Sequence, residues 1–359
     1  MVQVRREWIA PVSILIREAN IDADGELIAN ALKCYLTPLA DRARFDWLYK
    51  RNPHGPVRVW LAVEQNNEVV GTAAAFPRRL YVSRQQRIAW VFGDFCVSDT
   101  HRSLGPAVAL QRALLQAADS TGVPVCYDFP STAMTAVYKR LKIEPASQMI
   151  RMAKMLRVDR KVREQLRDGI LAKAVSSAGN VFLRATSSRW RADPTIEISL
   201  FENKCGPEFD ALAERVTAIF GVCVQRSAEY LNWRYLENPY KKHQVMTAKR
   251  DGTLLGFVIF SENGPDGELV DLCGEDDNAV IGRLISEVLE IFRRRGIITV
   301  SAELIASHPW IGLFKKFGFY PREDKPFMVY TSKEAAPLLM PNGLLTYSSW
   351  FITGGDRDS

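Results

Sequence analysis

Trp47-Leu48-Tyr49-Lys50-Arg51-Asn52-Pro53 returns 186 positions later as Trp233-Arg234-Tyr235-Leu236-Glu237-Asn238-Pro239, with Trp, Tyr, Asn and Pro matched. Asp94-Phe95-Cys96 is answered by Asp271-Leu272-Cys273, an offset of 177 (271 − 94). Val137-Tyr138-Lys139-Arg140 is answered by Leu313-Phe314-Lys315-Lys316, and Pro145 by Pro321, at 176 (321 − 145). The matches keep their order, with the small changes of offset that loop-length drift produces. Two similar folded units in tandem is the economical reading. Differences inside the matched blocks then indicate which unit carries chemistry.

A chain of 359 residues is long for one core and comfortable for two domains. Its 47% apolar and 25% charged residues are ordinary for a soluble globular protein. Met1-Val2-Gln3-Val4-Arg5-Arg6-Glu7 is not followed by an unbroken apolar stretch, so no secretory signal is expected, and no apolar run approaches a bilayer span. Six cysteines without CxxC pairs argue for reduced thiols and cytoplasmic residence. His54, His243 and His308 share no ligand spacing, so no metal is expected. The net charge of +6 is concentrated in residues 151–191, where eleven Lys/Arg face Asp159, Glu164 and Asp168. A solvated linker face explains that stretch, with a membrane-surface or RNA-contacting helix as the alternative.

The apolar pattern gives each unit the same order: a strand, two helices, a run of strands, a long helix, a strand and a further helix. Asp24 is placed to cap the first helix, and Asn52-Pro53 stops the second. Gly296 suits a left-handed helix end. The divisions are an N-terminal unit over 1–158, a basic helical linker over 159–194, a C-terminal unit over 195–331 and a loop-like tail over 332–359, anchored by Trp350-Phe351.

Ile88 to Val97 reads as a strand and Gly105 to Thr121 as a helix. The loop between them contains Arg102-Ser103-Leu104-Gly105-Pro106-Ala107. Small residues at that spacing let backbone approach a ligand, and free N–H groups at a helix start favour an anion. Arg102 adds a fork of donors for phosphate oxygens. A pyrophosphate is the natural guest; a strand-to-helix turn that happens to contain glycine is the competing reading. Pro106 is compatible with a first helical turn but deletes one N–H from the cradle.

Here the residues resemble the GNAT superfamily of acyl-CoA-dependent N-acyltransferases, whose loop signature is Arg/Gln-x-x-Gly-x-Gly/Ala. Arg102, Gly105 and Ala107 fit it, with Val97, Ser103, Leu104 and Pro106 completing the donor-binding stretch. A tyrosine in the fourth helix, shortly before a Gly-Phe turn, commonly protonates the departing CoA thiolate. Tyr138 sits there, with Lys142-Ile143 in place of Gly-Phe, whereas the second unit keeps Gly318-Phe319. The resemblance spans roughly 12–158 and 195–331. It implies an α/β fold of two GNAT-like domains in tandem, each a mixed, mostly antiparallel sheet flanked by helices.

At an offset of 177 (279 − 102), Arg102-x-x-Gly105-x-Ala107 becomes Ala279-x-x-Gly282-x-Leu284, and at 176 (314 − 138) Tyr138 becomes Phe314. The second unit has lost both the phosphate fork and the acid, so it reads as a degenerate copy shaping the acceptor cleft or the interface. In the first unit the resemblance implies an amine attacking the thioester of acetyl-CoA or another acyl-CoA, with Tyr138 donating to the leaving sulfur. A backbone N–H near Val97 or Ser98 would polarise the carbonyl. Asp94 shares a strand face with Cys96 and Ser98 and is a base acting through water or after a burial-raised pKa; a structural hydrogen bond is the other reading, favoured by the survival of Asp271.

Three functions follow: an N-acyltransferase acting on a small-molecule or peptide amine, a Fem-like aminoacyl-tRNA-dependent transferase using the basic stretch, or a non-catalytic CoA-binding scaffold. Neither a DNA partner nor a transmembrane segment is expected, and the oligomeric state stays open.

Overall fold

The computed structural model describes residues 14–101, 104–166, 170–185, 193–336 and 350–357. The first half runs β1 (Leu15–Glu18), α1 (Gly25–Tyr35), α2 (Arg42–Phe45), β2 (Arg58–Val63), β3 (Val69–Val82), β4 (Gln85–Val97), α3 (Leu104–Thr121), β5 (Val125–Asp128), α4 (Thr132–Arg140) and β6 (Ser147–Met155). α2 continues into a π-helical turn over Asp46–Lys50, the first Trp-x-Tyr block. β3 is apolar and buried along both faces because α1 covers one side and α3 the other, whose Leu110, Leu114 and Ala118 are wholly buried.

After α5 (Asp159–Leu166) and α6 (Ile170–Ala185), the second half repeats the order. It comprises β7 (Glu197–Phe201), α7 (Pro207–Ile219), β8 (Val222–Val224), α8 (Ala228–Leu231), β9 (Gln244–Arg250), β10 (Thr253–Asn263), β11 (Asp266–Gly274), α9 (Asn278–Arg294), β12 (Thr299–Ile305), α10 (Ile311–Lys316) and β13 (Tyr320–Thr331), followed by β14 (Trp350–Phe351). α8 also runs into a π-helical turn, Asn232–Leu236, the second Trp-x-Tyr block. α9 buries Val280, Ile281, Leu284, Ile285, Val288, Leu289 and Phe292, a stripe at three- and four-residue spacing against β9–β11.

The halves do not close separately. Among the described residues the strands form one sheet in which β5 is followed by β13, then β6, then β12. β6 pairs with β12 through Met149 to Met155, while Met328–Thr331 of β13 pairs with β5 of the first half. Each half therefore lends its last strand to the other, an exchange that cuts across the linear division at 158 and 195. The basic stretch after β6 holds α5 and α6, with 167–169 and 186–192 outside the described residues.

Two local expectations change. Asp24 stands at the start of α1 without capping it; its carboxylate accepts from Arg17 Nη1 and Nη2 at 2.8 Å and from the Asn20 N–H. The turn after α4 keeps the backbone of a Gly-Phe turn although Lys142 occupies it: Lys142 has φ 59° where Gly318 has φ 79°.

Candidate active site

The site begins with a bulge. β3 and β4 lose register between Thr72 and Ala74, and Asp94 on β4 takes φ 45°. The extra residue reverses the alternation, so Trp90 and Phe92 face α3 whereas Asp94 turns toward α2. The second half has the same irregularity opposite Ile259/Phe260, and there it presents Asp271.

Arg44 donates to Asp94 through Nη1 and Nη2 at 2.7 and 2.6 Å, and the Tyr49 hydroxyl donates to the same carboxylate at 2.5 Å. All three are buried. Burial, followed by the charge of Asp94, pushes the Tyr49 hydroxyl well above the ordinary tyrosine range. In the second half Tyr235 donates to Asp271 at 2.9 Å, and Arg226 contacts both oxygens at 3.0–3.1 Å. The two arginines come from different sequence positions: Arg44 lies inside α2, whereas Arg226 precedes the Ser227 cap of α8.

Beyond the bulge the sheet opens. β4 pairs with β5 only through Ala89–Val91 and Val125–Tyr127. Past these residues a cavity of roughly 490 Å3 lies between Phe92–Phe95 on one side and Asp128–Ser131 on the other. Leu36 and Leu39 border it from the α1–α2 connection, and Asn238, Tyr240 and Lys241 border it from the second half. Tyr240 donates to Asp41, closing the contact between halves. On β4 the cavity is lined by Phe92 to Phe95. Val97 is paired with Gly71, and the Ser98 N–H donates to Val70 O at 2.7 Å.

Tyr138 is 2% exposed and donates to Asp128 Oδ2 at 2.6 Å, while Gln111 Nε2 donates to the Tyr138 hydroxyl at 3.2 Å. Burial, reinforced by Asp128, pushes the Tyr138 hydroxyl well above its ordinary range. Asp128 and Gln111 line the cavity, and Tyr138 reaches it through them. Arg102 and Ser103 lie outside the described residues, as does the Leu104 side chain; Gly105 is exposed at the start of α3, with Pro106 buried and Ala107 half-buried. The first turn of α3 carries no acidic residue. His101 contacts Glu64.

In the second half both features are closed. Asp277 caps α9 with its own carboxylate, accepting from the Ala279 N–H at 2.7 Å and the Val280 N–H at 3.4 Å, so the helix end is already neutralised. The splay between β11 and β12 is filled by residues 350–357. β14 pairs parallel to β8, Thr353 bridges Leu304, and the Thr353 hydroxyl donates to Asp271 at 2.8 Å. Gly355 sits so close to Tyr235 and Asp271 that a Cβ there would collide with both. The expected loop-like tail is thus a built element here, held by buried Trp350 and Phe351; residues 337–349 lie outside the described residues.

Sequence reasoning overlooked Asp128, Arg44 and Tyr240. Asp128 carried a signal, an acidic residue at the end of a buried strand, but Arg44 and Tyr240 are brought in from 50 and 199 positions away by the fold. No cluster of His, Cys, Asp or Glu suited to a metal occurs among the described residues.

A large, mostly antiparallel sheet flanked by helices and splayed between β4 and β5 defines the class, a mixed α/β fold. Residues 16–146 match the family model of the acetyltransferase (GNAT) domain. No curated protein matches the sequence. Among solved structures, a probable N-acyltransferase of unknown function from Enterococcus faecalis is similar at 12% identity and a TM-score of 0.64, covering 91% of this chain and 74% of that one. A GCN5-related N-acetyltransferase from Anabaena variabilis is similar at 13% identity and a TM-score of 0.61, over 89% of this chain and 73% of that one. Saccharomyces cerevisiae N-myristoyltransferase, solved with myristoyl-CoA, gives 13% identity and a TM-score of 0.58, over 89% and 82%.

Proposed function

We propose that the first half moves an acetyl or other acyl group from acyl-CoA to a primary amine in the cleft between β4 and β5. One observation carries this reading: of two matched clefts, the first is an open cavity walled by Asp128, and the second is filled by the chain itself. The start of α3, with Arg102 before it and Gly105 in its first turn, suits a pyrophosphate. Acyl-CoA supplies the thioester carbonyl and, on attack, a thiolate leaving group. Asp128 at the cavity wall takes the proton from the amine, and the Tyr138 hydroxyl behind it completes a short path along which that proton is shared. Asp94, held by Arg44 and Tyr49, fixes the bulge that keeps the cleft open. The catalytic unit within 1–158 is completed by Asn238, Tyr240 and Lys241, so the second half serves as a wall. Six free cysteines agree with a reducing, cytoplasmic setting.

The test is calorimetric titration of acetyl-CoA and free CoA into the wild type and Arg102→Ala. Micromolar binding that weakens about tenfold or more in the variant supports the assignment. No heat in the wild type removes the acyl-CoA reading.

A further inference from the structure

The occupant of the second cleft is an extended peptide, and it shows how a polypeptide lies in this architecture. Trp350 and Phe351 add as a parallel strand to Val222 and Cys223, in the connection between α7 and α8. The Ile305 N–H donates to Ile352 O at 3.1 Å, pinning the segment to the end of β12. Thr353 then reaches the bulge aspartate, and Gly354 and Gly355 pass between β11 and β12, against Val270, Glu303 and Tyr235. Only glycine fits that passage, because a side chain at Gly355 would strike Tyr235 and Asp271.

Most surfaces the segment uses have a counterpart around the open cavity, although residues 36–41 form a turn where Val222–Val224 form a strand. The α7–α8 connection over 220–227 corresponds to the α1–α2 connection over 36–41, capped at its end by Asp41 as the former is by Ser227. Leu36, Thr37 and Leu39 of that connection border the cavity, with Leu36 and Leu39 exposed at 45% and 55%. Asp94 and Tyr49 stand for Asp271 and Tyr235, Gly93 for Val270, and the end of β5 at Asp128-Phe129 for the end of β12. In the first half no segment of the described chain fills this path.

Building on the acyl-transfer reading, we infer that the acceptor is the amine of an extended polypeptide. Its chain runs along Leu36–Leu39 and enters the splay toward Asp128 as residues 350–357 enter the second cleft. The exposed leucines supply an apolar ledge for its side chains. Attack forms the amide bond and breaks the thioester; the amine proton passes to Asp128 and the thiolate of CoA departs.

The experiment measures CoA release from acetyl-CoA by the full-length chain. Its acceptors are hexapeptides with a free N-terminus, N-blocked hexapeptides carrying one lysine, their truncations to dipeptides, and an amino sugar, a polyamine and an aminoglycoside. With apolar contacts along the peptide at Leu36 and Leu39, kcat/KM should rise roughly tenfold from dipeptide to hexapeptide and exceed that of every small amine. Leu39→Asp, at an exposed position, should raise KM for the hexapeptide more than for the dipeptide. Turnover of small amines as fast as of peptides, or rates independent of peptide length, would overturn the inference and leave the acyl-transfer reading standing. Absence of any acetyl-CoA binding heat would end both.

Discussion

Trp47 donates its indole N–H to the carbonyl of Trp233 at 2.7 Å, and Trp233 returns the bond to the carbonyl of Trp47 at 2.8 Å. The rings lie 5.7 Å apart at the junction of the two π-helical turns. A π-helical turn leaves carbonyls out of the usual α-helical ladder, and here each turn offers one to the other. The repeated Trp-x-Tyr block is therefore the point where the halves join as well as a core anchor.

Replacing either tryptophan by phenylalanine removes one buried donor and leaves one buried carbonyl unpaired. Each single variant is expected to lose about 1–3 kcal/mol. Because the side chains touch and share the junction, the double variant should deviate from additivity by about 0.5 kcal/mol or more. Urea unfolding of the four proteins measures the coupling, and strict additivity would show that the two bonds act independently.

Arg226 pairs with both Asp271 and Asp356, at 3.0 and 2.8 Å, and all three side chains are buried. Arg226→Met strands two carboxylates out of water and should destabilise by about 3–5 kcal/mol. Adding Asp356→Asn to that background should recover part of the loss, since one stranded charge disappears. A loss below about 1 kcal/mol in thermal or urea unfolding would contradict the buried pairing.

Much of this fold was legible in the sequence because apolar periodicity and turn chemistry are local. The α9 stripe, Gly296 and the Trp-x-Tyr blocks all announced themselves. Strand exchange was not legible: β6 is as apolar for β12 as it would be for its own half, so alternation cannot name the partner. The bulge at Asp94 was likewise hidden, since no glycine or proline stands at that residue to mark its left-handed backbone, although Gly93 precedes it. The second cleft's loss was half visible. The missing arginine and tyrosine could be read by aligning the copies, but the filling of the splay by residues 350–357 depends on contacts about 80 to 130 positions apart.

Lys142 offers a separate test of the turn after α4. Its φ of 59° carries a left-handed cost that Gly318 escapes at the matched turn, and the side chain is exposed. Lys142→Gly should stabilise by up to about 1 kcal/mol, the relieved strain being partly offset by the greater freedom of glycine in the unfolded chain. A lower melting temperature would mean that the lysine side chain makes a contribution its exposure hides.

The Asp128–Tyr138 pair separates roles by kinetics. Asp128→Asn keeps the shape but removes the proton acceptor, so kcat should fall by about 10²–10⁴-fold with acyl-CoA affinity unchanged. Tyr138→Phe leaves Asp128 facing the cavity without its 2.6 Å donor, and a fall of about tenfold to a hundredfold is expected. Equal turnover in wild type and Asp128→Asn would remove the carboxylate from the mechanism.

His308 makes the docked C-terminal segment sensitive to acid. Its Nδ1 accepts from the Trp310 N–H at 3.3 Å, which leaves the proton on Nε2, and its ring lies 4.7 Å from that of Phe351. Burial, followed by the positive charge of Arg226, holds its pKa down to about 3 against the ordinary 6.5. A histidine depressed on folding contributes stability above its unfolded pKa, and that stability is lost as pH falls from 6.5 toward 3. The slope is about 1.4 kcal/mol per pH unit for one such group. Asp356 works in the opposite sense: burial raises its carboxyl, so its contribution is lost as pH rises through the folded value. Melting curves between pH 4 and 8 should therefore show His308→Gln losing less stability than wild type on acidification. Asp356→Asn should gain on wild type as pH rises. Loss of the near-ultraviolet signal of Trp310 and Trp350 ahead of global unfolding would place the acid-labile step at the docked segment, and parallel pH curves for wild type and His308→Gln would remove His308 as its cause.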